Sequence, residues 1–419
     1  MKPRSLRTSG GSPVALAAVS AVLTIGLAAG PLTAPAFAAS PAFGASPSLA
    51  ASPAFAASPA FGASPSLAAS PATAAAPSQV QHPSANALRR ALAGLPDADA
   101  TAALIRVGGT EGSWRGSAGV ADVRTGRKVL ENGRFRAGST TKVVTAAVVL
   151  QLAAEGRIDL DEPVQTYLPG LLTADFKPIC VRQLLNFTSG LQPGASLGGS
   201  VEEEYPHRFE TLTPEAVVAS AVAKGPAADP GTTQEYGNIH YTVLGMLIEK
   251  VTGDSYEHQA AVRIFRPLGM RHTSFPAGPD PRVHGPHNRG YEEMDGKLVD
   301  VTEWNMSDRW AAGDMISTTA DLERFIVALF RGQVVPEQQL GEMFTVPDVP
   351  GATMGAALER FVIDGREVWG KSGARPGYNT GIAATSDLST TLVYSVNGTH
   401  AKEAGLAIAQ RFAFPAFTR

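Results

Sequence analysis

Cysteine is nearly missing from this chain. Among 419 residues there is one, Cys180. A single cysteine excludes an internal disulfide and a thiolate-rich metal site. Its neighbours in "FKPICVRQLL" are mostly apolar, so it reads as a small buried hydrophobe. Histidine is also sparse. The eight histidines are scattered, and those of "HGPHN", His284 to Asn288, are separated by Gly and Pro rather than by helical spacing. No metal ligand set stands out, and no cofactor is expected. Positive charge is not in excess: 35 Lys and Arg face 38 Asp and Glu, and the formal net is −3. Without a basic stretch, nucleic acid is excluded as a partner. Long apolar runs are lacking beyond the first residues, so no later segment is expected to cross a bilayer.

The first residues are of another kind. Lys2, Arg4 and Arg7 precede an apolar, small-residue-rich run from Val14 to Gly30, and Ala36-Phe37-Ala38 fits a small-x-small cleavage pattern. Residues 1–38 therefore read as a secretory signal peptide. An uncleaved anchor is the alternative, disfavoured by the shortness of the run. A six-residue repeat follows from Ala39 to Ala74, in units such as "ASPAFG" and "ASPSLA". Proline at every unit blocks helix and sheet ladders. Residues 39–85 read as an extended linker, with binding to a wall component as the alternative. Residues 86–419 are then the folded, catalytic part of a secreted protein, expected to act as a monomer.

Within that part, "ANALRRALAGL" has helical periodicity, and "TAALIRVGG" and "GSWRGSAGVADVRTG" read as strands joined by the turn Gly108 to Gly112. Segments with helical character fill the middle, among them "TPEAVVASAVAK", "IHYTVLGMLIEKVTG" and "SYEHQAAVRIFRPLGM". Near the end, "REVWGKSGA", "GYNTGIAATS" and "STTLVYSVNG" read as an antiparallel meander, and "AKEAGLAIAQRFA" as a closing helix. Strands at both ends with helices between predict an α/β (α+β) fold. One antiparallel sheet is flanked by terminal helices, and a mostly helical subdomain is inserted into it. The cleft between the two parts is the natural place for a site.

The stretch "RAGSTTKVVTAAVVLQLAAEG" poses the chemical question. A nearly charge-free helical run carries one lysine, Lys142, three residues after Ser139. Residues three apart share a helix face, and the helix start adds free N–H groups. Burial would lower the lysine pKa and make it usable as a base for the serine. Taken alone, the pair reads more readily as a capping serine and a solvated first-turn lysine. Two further stretches change the balance: "QEYGNIHY", with Tyr236-Gly237-Asn238, and "WGKSGARPGY", with Lys371-Ser372-Gly373.

Ser-x-x-Lys, Tyr-x-Asn and Lys-Ser-Gly in this order resemble the serine beta-lactamase and penicillin-binding protein superfamily. The closest pattern is that of class C beta-lactamases and secreted D-alanyl-D-alanine carboxypeptidases of actinomycetes. Segments such as "VRQLLNFTSGL", "RPLGMRHTSF" and "WAAGDMISTTADLERF" look similar too. The resemblance implies a beta-lactamase/transpeptidase-like fold and a role for each matched residue. Ser139 is the acylated nucleophile, and Lys142 and Tyr236 share the proton work. Asn238 holds the substrate amide and orients Lys142. Lys371 supplies positive potential, Ser372 donates to a substrate carboxylate, and Gly373 lets the strand approach the ligand. The amides of Ser139 and Ala374 form the oxyanion hole. Two departures stand out: lysine rather than histidine opens the third motif, and Gly237 sits inside the second. An arginine for a terminal carboxylate is not fixed by pattern; Arg360 and Arg375 are the candidates, against the reading of each as an ordinary surface residue.

The implied activity is that of a secreted serine hydrolase, first a D-alanyl-D-alanine carboxypeptidase on peptidoglycan stem peptides. A class C-type beta-lactamase, an esterase or D-amino-acid amidase, and a non-catalytic penicillin- or wall-peptide-binding module are the alternatives. The expected partner is a stem peptide or a beta-lactam. "GASLG", Gly194 to Gly198, matches a Gly-x-Ser-x-Gly elbow but lacks an apolar strand before it, so it reads as a loop. His240 is expected to point away from the site.

Overall fold

The computed structural model describes residues 82–418; the leader, the repeat of 39–74 and most of the 39–85 linker expected from the sequence lie outside the described residues. In chain order the strands are β1 (Ala100–Gly108), β2 (Trp114–Asp122), β3 (Arg127–Lys128), β4 (Phe135–Arg136), β5 (Tyr291–Met294), β6 (Lys297–Asp300), β7 (Ile316–Ser317), β8 (Glu359–Ile363), β9 (Arg366–Arg375), β10 (Tyr378–Thr385) and β11 (Thr391–Gly398). Helices of eight residues or more are α1 (Ala85–Leu92), α2 (Thr141–Ala154), α3 (Pro214–Val222), α4 (Asn238–Thr252), α5 (Thr319–Phe330) and α6 (Gly405–Phe412).

The main sheet has the order β3-β2-β1-β11-β10-β9-β8 and is antiparallel throughout. The N-terminal hairpin thus docks beside the C-terminal meander, which closes the sheet around everything inserted between. Strands β10 and β11 are buried almost end to end, as centre strands covered on both faces must be. One face carries Ile105, Leu392, Tyr394 and Val396, packed under Leu88 and Leu92 of α1 and Ile408 and Phe412 of α6. The other face carries Ile382, Val393 and Trp369, which join the core of the inserted, mostly helical region. This is the α/β architecture anticipated above. The short β4–β7 pair, strand β8 and the β5–β6 hairpin were not anticipated. Edge strand β8 has a weak alternating pattern, and the β5–β6 hairpin lies in the charged sequence "YEEMDGKLVD".

Helix α2 is the hub of the inserted region. From Thr141 to Leu150 every residue is buried, so the helix is covered on all sides and is a core helix. Helix α4 packs beside it and ends on Gly253, whose φ of 72° gives the left-handed cap that glycine accepts best. Cys180 is half-buried rather than buried and stands at the start of a short helix, Val181–Leu185. The expectation of a core cysteine fails because its flanking apolar residues, not its own side chain, face inward.

The two parts meet where β9 crosses the turn before α2. A Cβ on Gly373 would lie 2.2 Å from Ala137 O and 2.9 Å from Ser139 N. Glycine is therefore required there because two backbones touch, whereas the sequence reading assigned it to room for a ligand. Thr380 on β10 fastens the same seam, its hydroxyl donating to Ala137 O at 2.7 Å. Gly373→Ala is expected to destabilise the fold by about 1–3 kcal/mol through overpacking. It should also slow acylation, because the serine turn must shift; urea unfolding and a single-turnover assay on the same variant check both.

Candidate active site

Ser139 sits in a single turn of 3-10 helix, Gly138–Thr140, leading directly into α2. That turn is held from below. Thr140 Oγ1 donates to Ala137 O at 2.9 Å and Thr141 Oγ1 to Gly138 O at 2.6 Å. One turn into the helix, Lys142 is completely buried, and its ammonium has three acceptors within reach. Nζ donates to Ser139 Oγ at 3.1 Å, to Asn238 Oδ1 at 2.7 Å and to Ala312 O at 2.7 Å. Burial pulls the Lys142 pKa down to about 8, opposed by the neighbouring Tyr236 and assisted by Lys371.

Tyr236 and Asn238 flank the start of α4, which places both side chains over the serine turn. The Tyr236 ring packs on buried Phe187 at 5.0 Å between centroids. One side of the ring remains exposed to the cleft, while its hydroxyl joins the hydrogen bonds of Ser139 and Lys142. Lys371 Nζ lies 4.6 Å and Lys142 Nζ 5.1 Å from the ring centroid. Desolvation at the hydroxyl pushes its pKa up, but the two ammonium groups outweigh it and bring it down to about 7. A phenol and an amine thus titrate in the same narrow range, around neutrality.

Strand β9 forms the opposite lip. Ser372 and Ala374 are the exposed positions of this stretch, and Lys371 and Gly373 face inward. Lys371 Nζ donates to Ser372 O at 3.1 Å. The amides of Ser139 and Ala374 come from the two sides of the Gly138–Gly373 seam, and both residues line one cleft with Tyr236 and Asn238. All eight residues singled out by motif therefore lie in one place.

Other residues are sorted differently. Arg360 is exposed at the sheet edge and pairs with Glu367 at 2.7 Å, away from the cleft. Arg375 does line the cleft but is buried and engaged with Asp308 at 3.2 Å, so it is no surface residue. Arg309, which no motif marks, lines the cleft as well and contacts both Asp308, at 3.1 Å, and Glu204, at 3.4 Å. Ala312 O was equally invisible in the sequence, because a backbone carbonyl has no residue signature. His240 is buried under the loop that carries Tyr236. Its ring bridges Ser189 Oγ at 2.9 Å and Glu235 O at 3.0 Å, and burial lowers its pKa to about 4. It supports that loop and does not reach Ser139 as a base. "GASLG" lies in a loop, where Ser196 Oγ donates to Gly198 O. Among the described residues, no cluster of three or more His, Cys, Asp or Glu could hold a metal ion, and no helix is long and apolar enough to cross a membrane.

The same geometry can be compared with known proteins. The family model described as Beta-lactamase matches residues 88–413. A D-stereospecific amidohydrolase from Streptomyces sp. is 33% identical, with a TM-score of 0.69 over 78% of this chain and 98% of that one. The D-amino acid amidase of Ochrobactrum anthropi SV3, solved with L-phenylalanine, is 25% identical, with a TM-score of 0.66 over 80% and 97% of the two chains. PbpX of Bacillus subtilis (strain 168), named as a penicillin-binding protein, is 28% identical over 58% of this chain and 57% of its own length. For protein flp of Staphylococcus aureus (strain MRSA252) the figures are 30%, 50% and 41%. The chain thus spans about half the length of the curated relatives it matches. With a family model covering most of the sequence and a solved relative matched nearly end to end, the chain belongs to the beta-lactamase family and has the beta-lactamase/transpeptidase fold.

Proposed function

We propose that this protein is a serine amidohydrolase that transfers the acyl part of a D-amino-acid amide or short D-peptide to Ser139 and then to water. The observation that carries this reading is the state of the cleft arginines. Arg309 and Arg375 line the cleft, yet both are engaged by the buried carboxylate of Asp308. An arginine in such a pair is a poor grip for the terminal carboxylate of a leaving D-alanine. A neutral amide or a small amine leaving group makes no such demand. The likeness to a D-stereospecific amidohydrolase and a D-amino acid amidase supports the same choice. A second reading is a D-alanyl-D-alanine carboxypeptidase, in which Lys371 and the exposed Ser372 receive the carboxylate; the likeness to PbpX supports it. In either case the leader and repeat of residues 1–85 would place the reaction outside the cytoplasm.

In the proposed cycle Tyr236, as the phenolate, takes the hydroxyl proton of Ser139 while Oγ bonds to the substrate carbonyl carbon. The ammonium of Lys142 stabilises the phenolate and the emerging alkoxide. The carbonyl oxygen becomes an oxyanion between the amides of Ser139 and Ala374. When the C–N bond breaks, the departing amine collects the proton from Tyr236. Water then repeats the sequence on the ester, giving a carboxylic acid and restoring Ser139.

Incubation of the purified protein with D-phenylalanine amide should release ammonia, with Ser139→Ala inactive. D-Alanine release from a D-alanyl-D-alanine peptide, with no action on the amide, would move the assignment to the second reading. Rapid consumption of benzylpenicillin, followed by intact mass, would point to a beta-lactamase instead. The pH dependence follows from the two shifted groups. Raising pH through about 7 removes the Tyr236 proton and supplies the base, so kcat/KM should climb. Raising it beyond about 8 discharges Lys142, so kcat/KM should fall again. Tyr236→Phe should lose the ascending limb and about 10²–10⁴ in rate.

A further inference from the structure

We propose that Glu292 is a positioning residue for this cleft, its carboxylate clamping together two turns, at 375–377 and 399–402, that form one wall of the site. The inference rests on the reading that substrate binds beside Ser139. Glu292 lies on β5 and is buried. Its Oε1 accepts from Gly377 N at 2.7 Å and from Ala401 N at 3.2 Å, and Oε2 accepts from Ala401 N at 3.3 Å. Each turn continues into the cleft: Arg375 and Pro376 from the first, and Lys402 from the second, line it together with Ser139.

The surrounding contacts show why this carboxylate matters. The carbonyls of the same two turns are held by asparagines: Asn397 Nδ2 donates to Gly377 O at 3.2 Å, and Asn379 Nδ2 to Ala401 O at 2.6 Å. Glu292 serves the N–H side of both turns at once. The first turn also rests directly on the β5 lead-in, since a Cβ on Gly377 would lie 2.5 Å from Gly290 Cα. From the second turn, Lys402 Nζ reaches Gly199 O at 2.7 Å and ties in the loop that brings Val201 and Glu204 to the cleft.

Among the described residues, no cation forms an ion pair with Glu292. Arg375 is engaged by Asp308, Arg289 by Asp300 and Lys402 by Gly199 O, while the His400 ring meets Thr399 Oγ1 at 3.3 Å. The charged groups that do bear on it, Glu403 and Glu202, are acidic. Burial raises its pKa to about 7, against the two backbone N–H groups that favour the carboxylate. Ionised Glu292 has acceptor capacity for both turns; protonation converts one oxygen to a donor facing an N–H. The clamp is therefore strongest above pH 7 and loosens below it.

The test compares wild type with Glu292→Gln, which keeps size and one acceptor but turns an NH₂ toward an N–H. With D-alanine p-nitroanilide as substrate, the variant's KM at pH 8 should rise by about tenfold, as for loss of a hydrogen bond to a charged group, with kcat little changed. Wild-type KM should rise between pH 8 and pH 6, and the variant's should not. Hydrogen exchange gives a second readout that needs no substrate. Protection in segments 374–379 and 399–404 should fall from pH 8 to pH 6 in wild type and be low at both in the variant. Equal protection and equal KM in the two proteins would overturn the proposal. So would a parallel loss of kcat and Tm without a KM effect, which would mark a structural role. Failure of wild type to cleave the anilide would count against the proposed function; the exchange experiment would then decide the clamp alone.

Discussion

The structure depends on keeping one ammonium group in a dry place. Lys142 is fully buried on a helix whose residues are buried from Thr141 to Leu150. Moving such a charge out of water costs several kcal/mol even after relaxation. The site offsets this with three acceptors drawn from three different segments: Ser139 Oγ, Asn238 Oδ1 and Ala312 O. Each such bond to a charged group contributes about 1.5–3 kcal/mol. The nucleophile turn, the start of α4 and the loop before β7 must all be in position for the balance to close. The arrangement of polar groups beside Ser139 and the packing of the inserted region are thus one problem, solved around one atom.

Tyr236 is the second half of that solution. A phenol in a desolvated position would ordinarily stay protonated far above neutrality. Here two ammonium groups lie on its ring, one from α2 and one from β9, and they reverse the direction of the shift. Lys142 belongs to the helical region and Lys371 to the sheet. The acidified phenol is therefore assembled only when the two parts of the fold are closed on each other. The close contact of Gly373 with the Ala137–Ser139 backbone fixes how near they come.

Much of this was legible in the sequence, for a physical reason. Polar side chains that meet at fixed offsets, such as Ser139 with Lys142 or Tyr236 with Asn238, leave a local pattern. So do strands with apolar alternation and a helix with no polar face. What stayed hidden acts through the backbone or through long-range pairing. Ala312 contributes a carbonyl that any residue would carry. Arg309 and Asp308 acquire meaning only when the chain brings them to Arg375 and Glu204. Gly373 was read as clearance for a ligand because a strand sequence cannot show which backbone lies against it. Cys180 was read as core from its neighbours, although its own side chain stands at a helix start.

The Asp308 cluster shows how a fold can narrow a substrate range without touching the reacting atoms. Its carboxylate is buried between Arg309 and Arg375, and burial alone would favour its protonated form. The two guanidinium groups outweigh that and keep it ionised. Removing either arginine would leave the other facing a less balanced, buried charge, which is far costlier than losing an exposed ion pair. The cluster is thus hard to dissolve, and a substrate carboxylate would have to compete with Asp308 for guanidinium groups it already pairs with. A leaving group without a carboxylate meets no such competition. Substrate choice on this reading follows from an internal ion pair at the cleft wall, while Ser139, Lys142 and Tyr236 remain the general machinery that any acyl group would meet.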